Sequence, residues 1–102
     1  METYYAVIFT SQRTEQDGDS YGKMADLIDA LAQQQPGFIR VESVRNEKGK
    51  GITVSYWESL KAIQAWKDNA KHLTAQQLGK DKWYTNYKVE ICQLIKDYSF
   101  AK

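Results

Sequence analysis

Apolar residues along the chain recur with two different periods, and these periods predict six elements. Alternation of β-branched or aromatic residues with polar ones indicates strands, and recurrence every three or four positions indicates helices. Strands are predicted over residues 4–13, 38–45, 51–57 and 87–98, and helices over residues 20–35 and 60–78. The order β-α-β-β-α-β predicts a ferredoxin-like α+β fold, with two helices on one face of a four-stranded antiparallel sheet.

Capping and turn residues set the boundaries of these elements. Ser20 and Ser59 are predicted N-caps, because a serine oxygen can accept a free amide hydrogen at a helix start. Residues 35–37, Gln-Pro-Gly, are predicted to end the first helix. Residues 46–49 predict a hairpin between two strands, and the polar stretch 67–69 predicts a kink in the second helix.

The first strand is apolar on both of its alternating faces, which indicates a sheet that is covered on both sides. The helices cover one face. Packing against a second copy about a two-fold axis is the simplest cover for the other, so we predict a homodimer; the alternative is a monomer with one partly polar open face. The apolar residues available to fill the two faces include Val7, Phe9, Val41, Val44 and Ile91.

Length and charge restrict the class of protein. The 102 residues predict one domain over residues 1–102, and a net charge of +1 argues against a nucleic-acid partner held by a strong positive field. The N-terminus resembles neither a secretion signal nor a membrane span. The single cysteine, Cys92, is predicted to be a packed thiol in the last strand, and the predicted location is the cytoplasm.

The sequence carries few groups that could do chemistry. It has no phosphate-binding loop, no cluster with metal-ligand spacing and no catalytic triad. His72 is the only histidine. Arg13 and Arg45, near strand ends, are predicted to be solvated, with orientation of an anionic oxygen as the alternative. An enzyme with this composition needs a substrate or a cofactor that supplies most of the reactivity.

Several stretches together resemble the antibiotic biosynthesis monooxygenase (ABM) family over about residues 4–96. They are the opening strand from Tyr5 to Phe9, the turn from Gln35 to Phe38, the strand end Tyr56-Trp57-Glu58-Ser59, the helix segment Ala62-Ile63-Gln64-Ala65-Trp66 followed by His72, and the closing residues Gln77 to Tyr84. The resemblance implies a dimeric α+β barrel, with a ligand pocket between the helices and the sheet of each subunit.

The resemblance also implies an activity. It favours a cofactor-independent monooxygenase that oxidises a small aromatic, quinol- or anthrone-type compound with molecular oxygen and without a metal. The first alternative is a non-catalytic binding or stress-response module that holds a small hydrophobic ligand. Haem degradation, known in another branch of the family, is disfavoured because residues 10–13 contain no asparagine and Gln76 stands where that branch has a histidine.

The resemblance further implies which residues form the site. Trp66 is predicted to line the pocket and act in catalysis, with a core tryptophan as the alternative. His72 is predicted to exchange protons near neutral pH, with an exposed helix histidine as the alternative. Tyr56 and Trp57 are predicted to point to opposite sheet faces, one of them near the pocket. The predicted pocket residues beside Trp66 are Tyr56, Trp57, Thr10 and Gln12.

Overall fold

The computed structural model describes residues 3–15, 18–76 and 84–102, and for residues 18–21, 24 and 70–76 it describes the backbone alone. Six elements follow one another in the predicted order, which is confirmed. They are β1 (Tyr4–Arg13), α1 (Gly18–Gln34), β2 (Phe38–Arg45), β3 (Lys50–Trp57), α2 (Leu60–Gln76) and β4 (Tyr84–Leu94).

The four strands form one antiparallel sheet in the order β2-β3-β1-β4. Helix α1 contacts α2 and β2, and α2 contacts β3. The predicted ferredoxin-like fold is therefore confirmed. Within the described residues no helix is long and apolar enough to cross a membrane, and the cytoplasmic location stays a prediction.

Strand register divides the sheet into two faces, because successive side chains of a strand point to opposite sides. Tyr5 pairs with Trp57, and Val7 pairs with Ser55. Val7 and Trp57 belong to the core beneath the helices. The residues paired across the strands with these two, and every second pair along the strands, therefore form the helix-side face. The intervening rows form the open face, which carries Ala6, Ile8, Thr10, Val54, Tyr56 and Cys92.

The core is small and centres on one tryptophan. Trp57 is fully buried, and Val7, Ala32 and Ile63 pack with it in one cluster. The ring of Phe38 stands edge-on to Trp57, with ring centroids 5.4 Å apart. Because these residues come from β1, α1, β2, β3 and α2, this cluster joins five of the six elements.

The predicted helix boundaries are partly confirmed. Ser59 caps α2, since the amide of Ala62 donates to Ser59 Oγ at 3.0 Å. The prediction for Ser20 is wrong, because α1 already begins at Gly18. The predicted kink at 67–69 is also wrong: α2 continues through these residues, which are exposed. Polar side chains on the solvent side of a helix leave its backbone hydrogen bonds intact.

The last strand begins and ends earlier than predicted. β4 runs from Tyr84 to Leu94, and Leu94 pairs with Tyr4, the first residue of β1. Beyond Leu94 there is no β1 residue to pair with, so the strand ends although the alternating sequence continues. The prediction that Cys92 is packed is wrong for the single chain, where Cys92 is exposed.

The turn after α1 depends on Gly37. Its φ angle of 90° is one that glycine adopts easily. A Cβ atom at this position would lie 2.7 Å from the Cβ of Ala62 in α2. The carbonyl of Gly37 accepts a hydrogen bond from the amide of Glu58 at 2.8 Å. The predicted end of the first helix therefore also brings the start of β2 against the start of α2.

We expect Asp29→Asn to stabilise the protein slightly at pH 7. Burial, and then the charge of Asp26, raise the pKa of Asp29. A folded-state pKa above the unfolded value favours the protonated form, so stability falls as pH rises through the folded pKa. The side chain is largely exposed, so the gain in Tm should be only about 1–2 °C.

This gain should shrink as the pH is lowered through the folded-state pKa of Asp29 towards that of the unfolded chain, because the wild-type carboxyl then becomes protonated. Circular-dichroism melts of wild type and variant across this range measure it, with Glu47→Gln as an exposed carboxylate control. A variant less stable than wild type at pH 7 would show that ionised Asp29 is favourable to the fold.

Candidate ligand site

Two tryptophans lie side by side beneath α2. The rings of Trp57 and Trp66 have centroids 5.2 Å apart and are tilted by 34°. Trp57 comes from the end of β3 and is fully buried, whereas Trp66 comes from the second turn of α2 and is half-buried. α2 thus places the predicted pocket residue against the centre of the core.

The two indole N–H groups differ in their hydrogen bonding. Trp57 Nε1 donates to Ser55 Oγ at 2.9 Å, and this bond is buried. Trp66 Nε1 is also buried, but it has no hydrogen-bond partner among the residues that the structure describes. A buried donor without a partner costs about 1–3 kcal/mol, and such a group in a folded protein calls for an explanation. An acceptor atom on a ligand would satisfy it once the side chains that cover Nε1 moved aside, since this atom is buried in the structure.

An apolar strip on β4 extends the same face of the sheet. We use this name for Tyr87, Val89 and Ile91, which are 43%, 41% and 46% exposed. Ile91 lies opposite Val7, and Val7 belongs to the cluster against which Trp66 packs. The strip therefore lies on the same sheet face as the two tryptophans, and it leaves apolar area exposed beside the core.

The far end of the strip is aromatic. Phe9 lies 5.7 Å from Tyr84 and 5.6 Å from Tyr87, measured between ring centroids, and the two tyrosine rings lie 5.9 Å apart. Their edge-on and tilted arrangements are those that aromatic rings prefer. This cluster gives the end of the helix-side face a rigid aromatic wall.

Arg45 lies at the same end of the sheet and is more ordered than the sequence predicts. Its side chain is exposed, but Nη2 donates to Oγ of the fully buried Ser11 at 2.8 Å and Nη1 donates to the carbonyl of Gly49 at 2.5 Å. A Cβ on Gly51 would lie 2.5 Å from the guanidinium carbon. The strand register pairs Arg45 with Gly51, and Gly51 with Ser11. This register is the signal that could have predicted the hydrogen bonds of the Arg45 side chain.

The other predicted pocket residues lie on the opposite side of the sheet. As predicted, Tyr56 and Trp57 point to opposite faces. Tyr56 is on the open face, where the guanidinium of Arg40 lies 3.8 Å from its ring centroid. Thr10 and Gln12 share that face, and Gln12 Nε2 donates to the carbonyl of Lys48 at 2.7 Å. The structure does not bring these residues together with Trp66, and their role in a pocket stays a prediction.

His72 lies on α2, six residues after Trp66. This spacing corresponds to about 9 Å along the helix axis. The side chain of His72 lies outside the described part of the structure, so its role in proton exchange stays a prediction.

A surface recess of about 530 Å³ lies elsewhere on the molecule. The described residues that line it are Thr3, Tyr4, Ile39 and Glu58. It is wide open, and none of these residues was predicted to act in the site. The candidate ligand site described above is distinct from this recess and lies on the helix-side face.

The strand order, the two helices on one face and the tryptophan-bearing second helix define a ferredoxin-like α+β domain. The antibiotic biosynthesis monooxygenase family matches residues 4–78. The chain belongs to this family, which confirms the resemblance predicted from its sequence.

Three known proteins show how far the likeness extends. The chain is 44% identical to the uncharacterized protein YqjZ of Bacillus subtilis (strain 168) over 99 residues, 97% of this chain and 86% of YqjZ. The fold matches SnoaB, a cofactor-independent oxygenase from Streptomyces nogalater, with a TM-score of 0.66 and 12% identity over all of both chains. It also matches MhuD, solved with two manganese protoporphyrin IX molecules per active site, with a TM-score of 0.70 and 19% identity over 94% of this chain and 99% of MhuD.

We expect replacement of the two tryptophans by phenylalanine to affect stability very differently. Trp57→Phe removes the bond to Ser55 and leaves a buried hydroxyl without its donor, so it should cost about 2–4 kcal/mol. Trp66→Phe removes an N–H that has no partner in the described part of the chain, so it should cost less than half as much. Urea unfolding of both variants measures the free energies. Equal losses would mean that Trp66 Nε1 has a stabilising partner in the folded protein.

Proposed function

We propose that this protein is a cofactor-independent monooxygenase that oxidises a small anthrone- or quinol-type aromatic compound with molecular oxygen. The observation that carries the proposal is the buried Trp66 N–H, which has no partner among the described residues, on the sheet face that also carries a partly exposed apolar strip. Membership of the monooxygenase family and the fold likeness to the oxygenase SnoaB support it.

The proposed chemistry places the reactivity in the substrate. An anthrone carries an acidic methylene group, and loss of one proton gives an anion whose charge is shared between that carbon and the ring oxygen. This anion passes one electron to oxygen, and the carbon radical and superoxide combine to a peroxide. Protonation and loss of water leave a new carbonyl, so one oxygen atom enters the product and the other leaves as water.

Trp66 is proposed to stabilise the anion. The negative charge develops on the substrate oxygen, and a fixed N–H donor in a site shielded from water stabilises such charge more strongly than water-exposed donors do. The ring of Trp66 is held against Trp57 at 5.2 Å, so its donor direction is set before the ligand arrives. The apolar strip of Tyr87, Val89 and Ile91 would receive the rings of the substrate and exclude water from them.

His72 is proposed to take the methylene proton. Histidine is the only side-chain type in this sequence whose unperturbed pKa lies near neutrality. His72 is on the same helix as Trp66. The six positions that separate them correspond to about 9 Å along the helix axis.

Binding without catalysis is the second function that an observation favours. The described side chains of the helix-side site are aromatic and aliphatic, with the Trp66 N–H as their unpaired donor. Such a lining suffices to hold a small hydrophobic ligand. The difference between the two functions therefore depends on the proton-exchanging group, which in this proposal is His72.

The decisive measurement is oxygen uptake by the purified, metal-stripped protein with a panel of anthrones and hydroquinones. Uptake above the spontaneous rate is expected for wild type. Trp66→Phe should lower kcat by about 10-fold or more, since a hydrogen bond to a charged group contributes about 1.5–3 kcal/mol. His72→Ala should also slow turnover, and the fold should persist in both. Gln64→Ala, an exposed position on the same helix, is the matched control.

The outcomes separate the two functions. Ligand binding by fluorescence, with no uptake above background for any compound of the panel, would move the assignment to a binding module. Wild-type rates in His72→Ala would remove His72 from the mechanism, and unchanged kcat in Trp66→Phe would return Trp66 to a purely structural role in the core.

We also propose that the protein is a homodimer. The open face carries apolar side chains that the helices do not cover, among them Ile52 and Val44, which are 41% and 72% exposed. Packing this face against a second copy would bury them. Light scattering at micromolar concentration should give about twice the chain mass of 11.8 kDa. A value near the chain mass would contradict the homodimer.

A further inference from the structure

The helix-side face has a polar corner next to the hairpin between β2 and β3. Arg45 pairs with Gly51, and Gly51 pairs with Ser11, so these residues lie side by side across three strands. Two positions further along the same strands, Ser43 pairs with Thr53. Side chains two positions apart in a strand point to the same face. We use the name polar corner for Arg45, Ser43 and Thr53, which therefore share the face that carries the core.

The guanidinium of Arg45 is held in one place over the neighbouring strand. Nη2 donates to Oγ of Ser11 at 2.8 Å, and Nη1 donates to the carbonyl of Gly49 at 2.5 Å. Because Gly51 has no side chain, the guanidinium occupies the space that one would fill, and its carbon lies 2.5 Å from the position of a Cβ there. A hydroxyl and a carbonyl are neutral acceptors, so these bonds orient the cation without neutralising it.

A pair of hydroxyl groups lies beside this cation. Oγ of Ser43 and Oγ1 of Thr53 are 2.8 Å apart, and either atom can donate to the other. Each hydroxyl carries one hydrogen, so the one that accepts keeps its own hydrogen for a further acceptor. Thr53 is two positions from Gly51, about 7 Å along β3, a spacing that the two oxygens of one carboxylate can bridge. Ser43 is exposed and Thr53 is half-buried, so the corner is open to a ligand.

The polar corner borders the apolar strip on β4. The guanidinium of Arg45 reaches Ser11 on β1, and Ser11 pairs with Tyr87 at one end of the strip. Neighbouring strands lie about 4.8 Å apart, so the cation is about one strand away from Tyr87. The strip runs about 13 Å from Tyr87 to Ile91, which is close to the length of a fused three-ring aromatic compound. An apolar surface of this length therefore begins at a fixed positive charge.

We propose that the polar corner is an anion subsite of the helix-side ligand site, and that the ligand is an aromatic carboxylate. The rings lie on the apolar strip, and the carboxylate accepts hydrogen bonds from the Arg45 guanidinium and from the hydroxyl pair. Hydrogen bonds between charged groups are the strong ones, so Arg45 determines specificity. The inference rests on the proposed function and narrows its substrate to a compound whose carboxylate lies at the end remote from Trp66.

The test compares two probes of nearly equal shape, anthraquinone-2-carboxylate and its neutral amide, anthraquinone-2-carboxamide. Neither has a methylene group to oxidise, so binding is measured without turnover, by quenching of tryptophan fluorescence. Wild type should bind the carboxylate about 10-fold more tightly than the amide, since a hydrogen bond to a charged group is stronger than a neutral one. This preference should shrink as salt is added, because the corner is exposed and its charge is screened.

Arg45→Gln should abolish the preference for the carboxylate and leave the affinity for the amide nearly unchanged. Arg40→Gln is the matched control. It makes the same change on the same strand, but Arg40 lies on the open face with its guanidinium over the ring of Tyr56, so the preference should persist. Thr53→Val removes one hydroxyl of the pair at nearly constant shape, and it should reduce the preference by a smaller factor than Arg45→Gln does.

A second variant keeps the test valid if Arg45→Gln is poorly folded. Loss of Arg45 leaves the fully buried hydroxyl of Ser11 without this donor. Arg45→Gln is therefore also combined with Ser11→Ala, since removing both partners of a buried hydrogen bond costs much less than removing one. Far-ultraviolet circular dichroism checks the fold of each variant, and the double variant should likewise bind the two probes equally.

The failures of the subsite and of the proposed function are distinguishable. Equal affinity of wild type for the two probes would overturn the subsite, and so would a preference that survives Arg45→Gln. Both probes weakened equally in a folded Arg45→Gln variant would also overturn it, by showing a purely structural role. Oxygen uptake with neutral anthrones would leave the oxygenase standing in each case. A carboxylate preference that depends on Arg45, without oxygen uptake, would support the subsite in a binding module.

Discussion

The burial of Trp57 is the constraint on which the rest of the structure depends. Its indole is fully buried, its N–H is satisfied by Ser55, and its ring contacts Phe38 and Trp66. Because strand side chains alternate, this one orientation determines the face to which every residue of β3 points. Through the pairing of β3 with β1 and β2 it determines the faces of those strands as well. A shift of one residue would bring Tyr56 beneath the helices instead.

Most of the fold could be predicted from the sequence because its signals are local. The two periods of apolar residues, the Ser59 cap and the turn at Gly37 are each read within a few positions, and the structure confirms them. The errors arise where the end of an element is determined by residues that are distant along the chain. β4 ends at Leu94 because its pairing partner β1 begins at Tyr4. Tyr4 lies about ninety residues away along the chain, so the sequence around Leu94 does not show that the strand ends there.

The site was harder to predict than the fold for the same reason. Helical spacing placed Trp66 on the apolar side of α2, where a core residue and a pocket residue look alike. What separates them is the hydrogen bonding of Nε1, which depends on how strands and helix meet. Trp57 obtains a partner two residues away in its own strand, whereas Trp66 has none in the described structure. The side of the sheet to which Tyr56, Thr10 and Gln12 point likewise follows from register, which composition does not show.

The two faces of the sheet meet different physical requirements. The helix-side face carries a buried donor that has no partner among the described residues, and on β4 a strip of partly exposed apolar side chains. The open face has no helix to cover it. If both faces were completed within one chain, neither surface would remain for a ligand or for a second copy. Because adjacent residues such as Tyr56 and Trp57 belong to opposite faces, one strand, β3, has to meet the requirements of both faces at once.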